Sequence, residues 1–173
     1  MAKLDKNKLI FGILLIILIA IAEIVCGHLK LPLWSAFMVM IFFFVVHEDK
    51  KLIPNIVIGG LFGMVNLIII KAFLGLVAPY LGIELGRLLY ILIFVYAIVA
   101  LRDLVPWVFN AFAFMFFLVT ALAAKTPDFN IFINMGVEVV IGLIFVYSIL
   151  GMAKIVAMLA LSLQSANRMN QTF

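Results

Sequence analysis

A chain of 173 residues that is 68% hydrophobic and only 12% charged is excluded from the soluble class. Soluble domains are roughly 45–50% apolar and about 25% charged, and so few charges cannot cover an exterior that faces water. The net charge of +4 is scattered over loop ends, with no basic cluster interleaved with aromatics, which excludes a nucleic-acid partner; the lone cysteine, Cys26, excludes an internal disulfide framework and a cysteine metal cage.

The partner implied for the exterior is the lipid bilayer, and a single transmembrane domain over residues 1–173 is expected, since no polar linker divides the chain. Lys3, Lys6 and Lys8 precede an apolar run in which Ala20-Ile21-Ala22 has the small-x-small form of a signal-peptide cleavage site. The run 9–25 is read as retained, forming the first transmembrane helix. A span needs roughly 20 apolar residues to cross about 30 Å of hydrocarbon. Residues 31–46 form a second, shorter span, opened by Pro32 and stopped by His47-Glu48-Asp49-Lys50-Lys51. Residues 52–70 form the third, with Pro54 suited to the first helical turn and Lys71 at the far end, unless the helix runs on towards Pro79. Residues 79–86, with one proline and two glycines, read as the join to the second half. Residues 88–101, bracketed by Arg87 and Arg102, form the fourth span, and residues 104–124 the fifth. Lys125-Thr126-Pro127-Asp128 is a turn in which Asp128 is placed to cap the sixth span, 129–150. Residues 155–163 are too short to span and read as an extension of the sixth helix or as an interfacial helix.

The chain matches itself at an offset of 75. Ala36, Phe37, Met40, Phe42 and Lys50 meet Ala111, Phe112, Met115, Phe117 and Lys125; Asn55, Ile56 and Ile58 meet Asn130, Ile131 and Ile133. A fixed-offset match marks an internal repeat. The halves are 9–71 and 88–150, joined by 72–87, with 151–173 as a C-terminal extension. Three helices per half force the copies into opposite orientations. The expected fold is therefore all-α, a polytopic membrane protein of about six transmembrane helices built as two three-helix inverted repeats. Lys3, Lys6, Lys8, Lys50, Lys51, Arg102, Lys154 and Arg168 then share one side, against Lys30, Lys71, Arg87 and Lys125 on the other. The positive-inside rule places the first set, and both termini, in the cytoplasm.

The chemistry-bearing residues lie on the third helix of each half. Asn55, Gly59, Gly63 and Asn66 fall on one helical face, and so do Asn130, Asn134, Glu138 and Gly142. Such polar groups cannot face lipid without a large desolvation cost. Two readings stand. Gly59-x-x-x-Gly63 permits close backbone approach with the amides and the acid as interhelical glue, or the two faces line a shared midplane path. Glu138 is the sharpest single residue: a proton carrier, a cation ligand or a structural acid, with Asn66 and Asn110 as its expected partners. Glu23 is expected to reach the interface or pair with Lys30. His47 beside Glu48 and Asp49 reads as a solvated loop, not a metal site, and no metal or cofactor is expected. Phe37, Phe44, Phe114 and Phe117 are candidates for a hydrophobic constriction, although apolar helices supply phenylalanine anyway. Trp34 and Trp107 read as interfacial anchors.

Trp34-x-x-Phe37 with its aromatic run, then 55–63, then Ala78-Pro79-Tyr80, together resemble the YcdZ-like family. The second aromatic helix opening at Val105-Pro106 and the stretch Gly142-Leu143-Ile144-Phe145-x-Tyr147 extend the resemblance over nearly the whole chain. The family comprises small bacterial inner-membrane proteins with a domain of unknown function. The resemblance implies a multi-pass inner-membrane protein and carries over no catalytic residue. The chain departs from the pattern in the acidic-basic run at 47–51, where the family has a Gly-rich turn.

An enzyme is not expected, since no nucleophile–base–acid set and no phosphate loop is present. The leading expectation is a small-solute channel or transporter, assembled as a homo-oligomer, for a small neutral polar molecule or a cation. The alternative is a non-transport membrane subunit or scaffold whose glycines serve packing.

Overall fold

The structure, a computed structural model, describes residues 6–170, with side chains up to residue 162. Lys3 and the residues from 171 onward lie outside the described residues, as does the side chain of Arg168. The chain is all-helical: α1 (Lys6–His28), α2 (Trp34–Val45), α3 (Ile53–Leu81), α4 (Ile83–Leu101), α5 (Ala111–Ala123) and α6 (Ile131–Asn170). The apolar exterior of these helices is that of a membrane-embedded protein. Ile16, Ile24, Leu92, Val99 and Val140, for example, are all exposed.

Among the described residues four helices, not six, are long and apolar enough to cross a membrane: α1, α3 with the 3-10 turn before it, α4 and α6. The other two, α2 and α5, have 12 and 13 residues. They rise only about 18–20 Å at 1.5 Å per residue. Both are bounded by local chemistry. Pro32 precedes α2, and His47 and Glu48 end it with φ of 55° and 60°, a left-handed turn no helix can pass through. Asp49 then caps the 3-10 turn Lys50–Leu52, its Oδ1 accepting from the Lys51 amide at 2.9 Å. Pro106 sits in the turn before α5, so residues 104–110 are not helical as the sequence suggests; α5 begins only where Asn110 caps it.

The expected join at 79–86 contracts to one residue. Pro79 lies inside α3, in its last turn, and the helix continues past it to Leu81. Gly82, at φ 77° and ψ 163°, makes the break alone, in backbone that only glycine adopts readily. Lys71 does not end α3, because a lysine stem lies along apolar surface while its ammonium reaches the headgroups. At the other end, residues 155–163 continue α6.

Successive helices run against one another. Phe44 near the end of α2 packs edge-on against Phe11 near the start of α1, with centroids 6.4 Å apart. The start of α1, the turn after α2 and the late part of α6 meet around Lys8, Glu48 and Val156. The start of α3, the end of α4 and the start of α5 meet around Asn55, Arg102 and Asn110. On the opposite face Lys30, Trp34, Asp128 and Asn134 come together, as do Lys71, Arg87 and Lys125. α3 packs chiefly on α5 and α4, and α6 chiefly on α2 and α1. Two packed clusters result. One gathers Val39, Phe43, Ile56, Phe145 and Val146; the other gathers Leu67, Ile70, Tyr90, Phe94 and Phe117.

Candidate functional site

Positions 134, 138 and 142 recur every four residues on α6 and share one buried face. Glu138 is 0% exposed. Its side chain points at Gly60 of α3. A Cβ on Gly60 would overlap Glu138 Oε1 and stand 2.8 Å from the Phe116 ring of α5. Gly60 and Glu138 each lie seven residues into helices that start at opposite faces. Each is thus about 10 Å along its axis, so the contact sits at mid-depth.

Neither oxygen of the Glu138 carboxyl has a hydrogen-bond partner in the protein. Among the described residues, the buried side-chain polar atoms in this condition are Glu138 Oε1 and Oε2, Asn134 Oδ1 and Thr120 Oγ1. All four are oxygens able to accept a hydrogen bond. Buried polar atoms in folded proteins nearly always have partners, so the three orphaned acceptors on Glu138 and Asn134 mark this face of α6 off from the rest of the core, and Thr120 adds a fourth on α5. Asn134 is held in place by its other groups. Its Nδ2 donates to the Asn130 carbonyl at 2.8 Å, and its own carbonyl accepts from Ser35 Oγ of α2 at 3.0 Å.

Gly59, beside Gly60, makes room for a second polar side chain. A Cβ there would lie 2.6 Å from Asn110 Oδ1 and 2.7 Å from its Nδ2. Asn110 caps α5, Oδ1 accepting from the Ala113 amide at 2.9 Å. Its Nδ2 donates to the carbonyls of Asn55 (3.0 Å), Pro106 (2.9 Å) and Trp107 (3.2 Å). Asn55 Nδ2 reaches Pro106 O at 3.3 Å. Adjacent glycines of α3 therefore receive Asn110 and the Glu138 carboxyl. Asn110 and Asn55 line a cleft of about 240 Å³ open to the face on which α1 starts. Asn134 lines one of about 400 Å³ open to the opposite face, with Lys30, Pro32 and Trp34.

Comparison with family models, curated proteins and solved structures finds no match.

Other residues singled out from the sequence take separate places. Asn66 does not meet Glu138. Its Oδ1 accepts from Tyr90 Oη at 2.6 Å and its Nδ2 donates to Phe62 O at 2.7 Å, tying α3 to α4. Gly63 lets α3 approach α5: its Cβ would strike the Ala113 carbonyl and stand 2.8 Å from Phe116 Cβ. Gly142 packs against Val39 of α2, whose Cγ2 would be 2.9 Å away. Asn130, rather than Asp128, caps α6, with Oδ1 accepting from the amides of Phe132 and Ile133 at 3.0 and 3.3 Å. The four phenylalanines form no common ring. Phe37 stacks on Phe145 and Phe44 meets Phe11, whereas Phe114 and Phe117 both pack on Phe94. The ion pairs among the described residues are Arg87–Glu84 and Arg102–Asp103, so Glu23, exposed on α1, is not paired with Lys30. His47 is exposed, and no group of three His, Cys, Asp or Glu gathers among the described residues.

Sequence reasoning missed Gly60, Thr120 and Ser35. The Gly59-Gly60 pair was the available signal for the first, because two adjacent glycines open two directions around a helix, not one. Thr120 and Ser35 carried no signal, since an isolated hydroxyl in an apolar helix usually bonds to its own backbone.

Proposed function

We propose that the chain is a small-solute membrane channel or transporter built from two inverted halves, with the start of α1 on the cytoplasmic side of a bacterial inner membrane. The pairing of helices supports the inverted halves: α3 packs on α5 and α4, and α6 on α2 and α1, so each half's third helix takes the other half's first two. Burial supports it as well. Ala36, Val39, Met40 and Phe43 are buried on α2, and the residues 77 positions later, Ala113, Phe116, Phe117 and Thr120, are buried on α5. Gly63 meets α5 beside Phe116, and Gly142 meets α2 at Val39, the counterpart of Phe116 at that offset. Among described residues Lys6, Lys8, Lys50, Lys51, Arg102 and Lys154 share the α1-start face, against Lys30, Lys71, Arg87 and Lys125, which favours that face as cytoplasmic.

The observation that carries the transport reading is the set of orphaned acceptor oxygens on Thr120, Asn134 and Glu138. Helix packing alone gives no reason to bury acceptors without donors. The basic residues near this path, Lys30 and Arg102, stand in the clefts at its two ends, so the orphaned oxygens deeper in the protein suit a solute that donates hydrogen bonds or carries one positive charge. The path runs from the cleft at Asn134 past Glu138 to Gly60, then by Gly59 and Asn110 to the cleft at Asn55. It lies within one chain, so in a homo-oligomer each subunit holds its own pathway. The close glycine contacts of Gly63 and Gly142 favour a second reading, a packed scaffold without transport.

Purified protein in liposomes separates the two. The transport reading expects uptake of small neutral donors or monovalent cations above that of empty liposomes, with small anions excluded. Uptake equal to empty liposomes for every solute supports the scaffold.

A further inference from the structure

Three of the four Lys and Arg residues on the face opposite the start of α1 gather at one cleft. Lys71 of α3, Arg87 of α4 and Lys125, just beyond α5, stand around a volume of about 410 Å³. The fourth, Lys30, belongs to the cleft at Asn134. The cleft wall is apolar, formed by Leu74, Ile91, Leu118 and Leu122 from the same three helices. Leu118 and Leu122 are 41% and 65% exposed, so this wall opens sideways to the hydrocarbon. Arg87 pairs with Glu84 at 3.7 Å, but the Glu84 side chain is 86% exposed, which leaves it largely screened by solvent. The three cations line one cleft beside an apolar wall, and an anion lying between them would offset their mutual repulsion. At this membrane level the matching ligand has a charged phosphate next to a hydrocarbon chain.

We propose that this cleft binds one anionic phospholipid. Its phosphate sits among Lys71, Arg87 and Lys125, and an acyl chain lies along Leu74, Ile91 and Leu118 between α3, α4 and α5. The guanidinium of Arg87 offers a planar fork that fits phosphate oxygens in pairs, while the lysines supply point charges on flexible stems that reach headgroup level. Basic pockets between membrane helices bind anionic headgroups by this chemistry. A free phosphate would meet the cations and leave the apolar wall unused.

The test is native mass spectrometry of the full chain released from vesicles of phosphatidylglycerol mixed equally with phosphatidylcholine, with thermal unfolding in each lipid alone. One phosphatidylglycerol should be retained in preference to phosphatidylcholine and should raise the unfolding temperature. Each of Lys71→Gln, Arg87→Gln and Lys125→Gln should lower that preference about fivefold, the effect of one basic residue at an anionic surface. Lys30→Gln, on the same face but in another cleft, should leave it unchanged. Lys71→Arg keeps the charge and should keep the preference, which separates loss of binding from loss of folding. Equal retention of both lipids, a preference that survives the three Gln substitutions, or the same stabilisation by inorganic phosphate alone would overturn the proposal.

Discussion

The carboxyl of Glu138 occupies the space that a side chain at Gly60 would fill. One helix contributes an acid with no donor, and the other contributes the absence of a side chain. The contact is therefore specific to this pair, and changing either residue should be felt through the other. Gly60→Ala forces a methyl group against Oε1 and the Phe116 ring, and overpacking of this kind costs about 1–3 kcal/mol. Glu138→Ala vacates the space, so the double variant should regain most of that loss. Unfolding of the single and double variants in detergent checks it: a coupling of about 1 kcal/mol or more is expected for residues in contact, and simple additivity would mean that the two do not touch.

Asn110 combines a helix cap with three carbonyl contacts. Asn110→Ala should lower stability by about 1–2 kcal/mol through the lost cap alone. Asn110→Asp keeps the capping oxygen but cannot donate to the carbonyls of Asn55 and Pro106, so it should fall between wild type and Asn110→Ala in thermal unfolding. An Asp variant as unstable as Ala would assign the whole effect to the donated bonds.

Tyr90→Phe removes the donor to Asn66 Oδ1 and leaves that oxygen buried and unpaired. Hydrogen bonds between membrane helices contribute about 1 kcal/mol, and the loss should be of that size. Asn66→Leu with Tyr90→Phe, which removes both ends, should cost less than the sum of the two single changes in the same unfolding measurement.

Lys50 and Lys125 are exposed on opposite faces in the inverted-halves proposal. With Cys26, the single native cysteine and a buried one, replaced by alanine, Lys50→Cys and Lys125→Cys should react with a membrane-impermeant thiol reagent from opposite sides of sealed vesicles. Reaction of both from the same side would end the inverted arrangement.

Much of this was legible in the sequence, and what was not has physical causes. Lipid exposure removes the polar stripe that marks helix ends in water. Long apolar runs were therefore legible as helices, but their limits were not: α3 passes Lys71 and Pro79, and α5 starts seven residues late. The late start was readable in Pro106 followed by Asn110, a turn residue and a capping residue before an apolar helix. The buried, polar face of Asn134 and Glu138 was legible from spacing and from the cost of an acid in lipid. The partner of Glu138 was not, because Gly60 is one residue and about 100° around the helix from Gly59. Residue identity matches 36–58 to 111–133 at an offset of 75, whereas the buried residues of α2 and α5 match at 77. Apolar residues exchange freely where lipid is the neighbour, so identity is a weaker guide to register than burial.

Flux through Glu138→Gln tests the central claim most directly. The substitution keeps the shape and volume beside Gly60 and replaces the carboxyl in the middle of the path by an amide that cannot exchange its proton or bind a cation as a charged group. The account predicts that the variant unfolds within about 1 kcal/mol of wild type, as a near-isosteric change should, while uptake of the transported cation or neutral donor into liposomes falls at least tenfold. Uptake equal to wild type in a normally folded variant would contradict it, and would leave Glu138 as a structural acid in a protein whose path runs elsewhere.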